Sequence, residues 1–197
     1  MQKTVEYYFD FGSPAAYLAS TQLPQLAADT GAAVQWRPML LGGVFAATGN
    51  SSPVTVPAKG RYTFTDFDRF AQRYGVPLMR NPAFPINTLT LMRMASGLQL
   101  RDDARFTAYA QAVFRAIWVD AQPMGDAATV AQVLQAAGLD GPELLALAAE
   151  PAVKDQLKAQ TETAVQRGVF GAPTFFVGEQ MFWGQDRLDF VRAALLA

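Results

Sequence analysis

The sequence predicts an α/β fold: a strand-helix-strand unit at one end, a hairpin followed by a helix at the other, and about a hundred residues of helical pattern between them. Three observations carry this. β-Branched and aromatic residues fill positions 4 to 9 and run into the turn residues Asp10, Gly12 and Ser13. Apolar residues recur at three- and four-residue spacing through the middle of the chain. Two short apolar runs, 174–177 and 180–183, are separated by Gly178-Glu179, as in a hairpin.

The elements follow in order. Thr4-Val5-Glu6-Tyr7-Tyr8-Phe9 reads as a buried strand. Ser13-Pro14 then sets a capping side chain directly before the residue best tolerated in the first helical turn. Residues 15–28 continue as a helix that Pro24 is expected to kink and Gly31 closes. A strand over 33–39 completes a unit of roughly thirty residues, the usual length of such a crossover. Residues 41–57 carry Gly42, Gly43, Gly49, Asn50, Ser51, Ser52, Pro53 and Pro57, and read as a long loop of the kind that is often functional. Helices are expected over 62–74, 87–96, 103–119, 126–137, 142–149 and 151–167. In the third of these, Phe106, Ala110, Val113, Phe114, Ile117 and Trp118 form one apolar stripe. The hairpin and a helix from about residue 186 to 196 end the chain. With the helical block set aside, this is the element order of a thioredoxin fold.

Composition narrows the chemistry. The 197 residues are 51% hydrophobic and 17% charged, which excludes a disordered or collagen-like chain. No apolar run approaches the ~18 residues of a membrane span. Sixteen Lys and Arg against seventeen Asp and Glu leave a net charge of −1 without a basic cluster, so neither nucleic acid nor a membrane is an expected partner. The N-terminus enters a strand without the features of a signal peptide, which points to the cytoplasm. The chain has no Cys and no His. Thiolate nucleophiles, disulfides, Ser-His-Asp triads and zinc sites built on Cys or His are thereby excluded, and no metal site is expected. Chemistry must come from Ser, Tyr, Lys, Arg or carboxylates, or from a bound cofactor.

Phe11-Gly12-Ser13-Pro14-Ala15-Ala16-Tyr17 is similar to the active-site turn of the DsbA-like oxidoreductases, in which Cys-Pro-X-Cys-Tyr opens the first helix. Ser13 and Ala16 stand where the two cysteines would be. Together with Gly171-Ala172-Pro173-Thr174, the turn resembles the branch containing 2-hydroxychromene-2-carboxylate isomerases and kappa-class glutathione transferases, where serine replaces the nucleophilic cysteine. Five further stretches agree in order: Leu40-Leu41-Gly42-Gly43-Val44-Phe45, Thr48-Gly49-Asn50, Val56-Pro57-Ala58-Lys59-Gly60-Arg61-Tyr62, Phe84-Pro85-Ile86-Asn87-Thr88-Leu89 and Phe182-Trp183-Gly184-Gln185-Asp186-Arg187-Leu188. The resemblance implies a DsbA-like fold with a large all-helical insertion, residues 1–57 and 151–197 forming the thioredoxin-like domain and 58–150 the insertion.

It also implies glutathione as cofactor. Ser13, with Pro14 beside it, would donate a hydrogen bond to the glutathione sulfur at a helix N-terminus that favours negative charge. Pro173 would follow a cis bond and turn the backbone of Ala172 toward the cysteinyl unit as an added strand. Asn50 and Lys59 would face the tripeptide, and Gln185 and Asp186 would receive its γ-glutamyl end. Four of these residues have a plainer reading: Ser13 as a helix cap, Pro173 as a trans proline opening a strand, Lys59 as a solvated charge, Asp186 as an acid at a helix start. Two positions depart from the branch. Ala46 stands where a lysine is frequent, and Ala172 is smaller than the usual residue before the proline.

The activity so implied is a glutathione-dependent isomerisation of 2-hydroxychromene-2-carboxylate to trans-o-hydroxybenzylidenepyruvate in aromatic-compound degradation, on a small aromatic carboxylate substrate, in a homodimer. A kappa-like glutathione transferase or peroxidase, and a non-catalytic glutathione-binding module, are the alternatives. Phe45, Trp118, Phe182 and Trp183 are candidates to line a flat pocket, although most of them are expected in the core.

Overall fold

The computed structural model describes residues 2–101 and 104–197. Its sheet has the strand order β2-β1-β3-β4. β1 (Thr4–Phe9) lies inside it, parallel to β2 (Ala33–Pro38) from Thr4↔Ala33 to Phe9↔Pro38. It is antiparallel to β3 (Thr174–Val177), which forms the hairpin with β4 (Gln180–Trp183). The expected sheet is therefore present, with both halves of the chain in it. A parallel pair needs a crossover, and α1 (Pro14–Thr30) supplies it. Ser13 caps that helix, Pro14 occupies its first turn, and the span continues through Pro24.

The stretch expected to be a long loop is a correction. Residues Leu41–Thr48 form a helix, α2, followed by a short 3-10 turn at Pro53–Thr55. Gly42 and Gly43 signalled a loop, yet only Gly49, at the helix exit, takes positive φ. Distant residues start this helix: Leu41 N–H donates to Asp10 Oδ2 at 2.8 Å and Leu40 N–H to Thr161 Oγ1 at 3.0 Å.

The helical block comprises α3 (Pro57–Tyr74), α4 (Leu89–Leu100), α5 (Phe106–Trp118), α6 (Ala127–Ala136), α7 (Gly141–Ala149) and α8 (Pro151–Gln166). α9 (Leu188–Leu196) closes the chain. α3 begins five residues earlier than expected because Pro57 suits a first helical turn. Asp103, the expected start of the third helix, lies outside the described residues. One apolar cluster runs from the sheet into this block. Phe9 and Phe11 both pack on Phe114 of α5, with ring centroids 5.9 and 4.8 Å apart. That packing, together with the Trp118 indole N–H bonded to the Phe11 carbonyl at 2.8 Å, seats the helical block against the Ser13 turn.

Candidate active site

Three walls enclose a cavity of about 490 Å³. The first is the Asp10–Ala15 turn with Gly171, Ala172 and residues 183–187; the second is α2 with residues 50–54; the third comes from the helical block, chiefly Phe64, Phe67, Phe84, Ile86 and Thr88. Six of the eight residues singled out from the sequence line it: Ser13, Pro14, Asn50, Ala172, Gln185 and Asp186. Pro173 sits behind Ala172 and holds it through a cis peptide bond, as expected. Lys59 does not line the cavity; it is exposed on the first turn of α3.

The Ser13 hydroxyl is buried and serves two partners. It accepts from the Ala16 N–H at 3.1 Å and donates to the Ala172 carbonyl at 3.0 Å. One side chain thus caps α1 and bonds to the residue before the cis proline. At this helix start the Ser13 N–H is taken by the Asp10 carbonyl and Pro14 has no N–H. The Ala15 N–H has no hydrogen-bond partner among the described residues, and Ala15 lines the cavity. The same holds for the Ala172 N–H.

Gln185 is 6% exposed, and its side-chain amide has no hydrogen-bond partner among the described residues. No fully buried side-chain nitrogen or oxygen among the described residues lacks a partner, so the Gln185 amide is open to the cavity it lines and presents donors and an acceptor there. Its backbone is fixed from α3, since Tyr74 donates its hydroxyl to the Gln185 carbonyl at 2.7 Å. Burial pushes that hydroxyl up to about 12, with Asp186 and Asp189 adding to the effect against Arg73. Asp186 pairs with Arg187. Asn50 is exposed and donates to the Phe170 carbonyl at 2.8 Å while accepting from the Ser51 N–H at 2.8 Å, which pins the second wall to the strand-β3 approach.

Sequence reasoning read Asp10 only as a turn residue. In the structure its carboxylate is buried and lines the cavity. It accepts from the Gly12 N–H at 2.8 Å, the Leu41 N–H at 2.8 Å and the Thr88 hydroxyl at 2.7 Å. Burial raises its pKa above the ordinary value, while the three hydrogen bonds pull the other way. The one sequence signal was an acid two residues before a glycine, suited to the side-chain-to-backbone turn that Asp10 makes with Gly12. The aromatic lining also differs from expectation. Phe45 and Trp183 line the cavity, but Trp118 is fully buried in the core and Phe182 faces elsewhere; Phe64, Phe67 and Phe84 take their place.

Among the described residues, no helix is long and apolar enough to cross a membrane. The DSBA-like thioredoxin domain family matches residues 4–196. Over 198 residues the chain is 35% identical to the 2-hydroxychromene-2-carboxylate isomerase of Sphingobium xenophagum, covering 100% of both chains. It is 26% identical to glutathione S-transferase kappa 2 of Caenorhabditis elegans over 200 residues, 95% of this chain and 89% of that one. A solved 2-hydroxychromene-2-carboxylate isomerase structure superposes with a TM-score of 0.83 at 34% identity, covering 98% of this chain and 94% of that one. With a match spanning nearly its whole length and a full-length relative of this similarity, the chain belongs to the DSBA-like thioredoxin domain family, in the branch that holds the 2-hydroxychromene-2-carboxylate isomerases and the kappa-class glutathione transferases.

Proposed function

We propose that this chain is a glutathione-dependent isomerase that interconverts 2-hydroxychromene-2-carboxylate and trans-o-hydroxybenzylidenepyruvate, or a closely related aromatic-degradation intermediate. One observation carries the reading. An active-site turn of the cysteine type, without a cysteine, opens onto a cavity in which the Ala15 N–H, the Ala172 N–H and the Gln185 amide have no hydrogen-bond partner among the described residues. Those groups suit a thiol-bearing peptide. The full-length similarity to proteins named as 2-hydroxychromene-2-carboxylate isomerases supports the choice of reaction.

The chemistry that glutathione supplies when bound is a thiolate able to add reversibly to the substrate's conjugated double bond and to leave after rotation. The chain's own residues prepare for it. The Ser13 hydroxyl has one proton, which rotation about Cβ–Oγ turns from the Ala172 carbonyl toward a sulfur while the lone pair facing Ala16 stays in use. The Ala15 N–H and the positive end of α1 favour negative charge at the same place. The Ala172 N–H, and its carbonyl once Ser13 turns away, form a short backbone edge for the cysteinyl unit. Asp186 offers an anion to the γ-glutamyl ammonium, and the Gln185 amide can bind a carboxylate beside it. The Phe64, Phe67 and Phe84 wall accepts a flat ring and excludes water.

Calorimetry with reduced glutathione and product analysis test this. The isomer ratio should change only with glutathione present, and all the glutathione should be recovered. S-Methylglutathione should bind without supporting turnover. Turnover in its complete absence would sink the reading, and accumulation of a conjugate would instead identify a kappa-like transferase.

A further inference from the structure

We infer that Asp10 is a positioning residue that sets the spacing between the glutathione side of the cavity and its aromatic wall, through its hydrogen bond to Thr88. The inference rests on the glutathione reading above. The Asp10 carboxylate takes one hydrogen bond from each wall: Gly12 N–H from the Ser13 turn, Leu41 N–H from α2, and the Thr88 hydroxyl from the helical block. The three donors lie 2, 31 and 78 residues away in sequence, so no local structure would hold them together. Hydrogen bonds to a charged acceptor are short and strong, and here they occur out of water.

The arrangement has little slack. A Cβ added at Gly12 would lie 3.3 Å from Thr88 Cγ2 and 3.4 Å from Asp10 Oδ1, so the turn and the Thr88 segment are already in contact. Thr88 directly precedes α4, and Phe84 and Ile86, just before it, line the aromatic wall. The groups assigned to glutathione, Ser13, Ala172, Gln185 and Asp186, all lie on the opposite wall. Losing the Thr88 hydroxyl therefore releases the substrate wall and leaves the glutathione contacts in place. Losing the carboxylate disturbs all three walls, because an amide has one acceptor oxygen where the carboxylate has two.

The test compares Thr88→Val, Thr88→Ser and Asp10→Asn in the full chain, reading the glutathione Kd by calorimetry and kcat/KM for 2-hydroxychromene-2-carboxylate. Thr88→Val should keep the glutathione Kd within about twofold of wild type while kcat/KM falls roughly ten- to hundredfold, the loss of one hydrogen bond to a charged group. Thr88→Ser, which retains the hydroxyl, should restore kcat/KM. Asp10→Asn should weaken both glutathione binding and turnover. If Asp10→Asn fails to fold, the threonine pair still decides the matter. A Thr88→Val enzyme with wild-type kcat/KM overturns the inference, as does one that loses glutathione affinity in step with turnover, which would mark a structural bond only. A wild-type chain that binds no glutathione overturns the reading beneath it.

Discussion

The Ser13 hydroxyl donates to the carbonyl of Ala172 at 3.0 Å, joining the start of α1 to the residue before the cis proline, 159 positions away. The two backbone segments assigned to glutathione are thus held against each other by the very group assigned to its sulfur. A ligand that attracts the Ser13 proton simultaneously frees the Ala172 carbonyl for its own backbone.

Ser13→Ala removes both roles at once. The cap loss should lower stability by about 1 kcal/mol, and the missing donor should raise the thiol pKa of bound glutathione and slow turnover on the order of ten- to hundredfold. Thiolate absorbance against pH, with steady-state rates, reads both effects. Unchanged values for both would reduce Ser13 to a helix cap. Ser13→Cys should place a thiol at the same helix start and compete with glutathione for the position.

Gln185→Leu separates binding from folding. The amide opens to the cavity and has no hydrogen-bond partner among the described residues, so its removal should leave Tm unchanged or slightly raised. Glutathione affinity should fall by about 0.5–1.5 kcal/mol, roughly two- to tenfold. Thermal melts and calorimetry on one preparation check the pair, and a large drop in Tm without a change in affinity would count against a ligand role.

Gly184→Ala should damage the same corner through the backbone. Gly184 has φ 109°, and a Cβ there would fall 2.5 Å from Asp186 Oδ1. The Asp186 carboxylate must turn away, and the left-handed backbone strains any side chain, at a cost of about 1–3 kcal/mol. The measurable result is a lower denaturation midpoint together with weaker glutathione binding; wild-type behaviour in both would show that this corner tolerates the shift.

Asp10 and Asp126 should titrate on opposite sides of the ordinary carboxylate value of 3.8. Asp126 caps α6 in solvent, and the amide and hydroxyl of Thr129, at 2.8 and 2.9 Å, lower its pKa. Its contribution to stability is complete above the unfolded pKa and is lost as pH falls through the lower folded value. Burial raises Asp10, so the folded chain holds that proton more tightly than the unfolded chain does. The Asp10 contribution is complete below the unfolded pKa and declines as pH rises through the folded value. Carboxyl NMR titration should find the Asp10 midpoint above that of Asp126; the reverse order would contradict the assigned causes.

Local chemistry in the sequence determined the strand-helix-strand start, the hairpin-helix end and most helix limits, because these depend on nearest neighbours: Ser13 before Pro14, Pro151 opening α8, β-branched and aromatic residues filling positions 4 to 9. A local signal, the Ser-Pro helix start, marked Ser13, whereas Ala172 and Gln185 were marked only by the family resemblance; the fold gathers all three in one cavity. Tertiary structure alone decided α2, whose first N–H groups find acceptors on Asp10 and Thr161, and it alone turned Asp10 from a turn residue into the junction of three walls. It also sorted the aromatics, burying Trp118 against the Phe11 carbonyl and turning Phe64 and Phe67 of α3 to the cavity, and it left Lys59 outside. The physical reason is shared. A hydrogen bond or apolar face that closes across 31, 78 or 107 residues leaves no periodicity or spacing in the segments it joins.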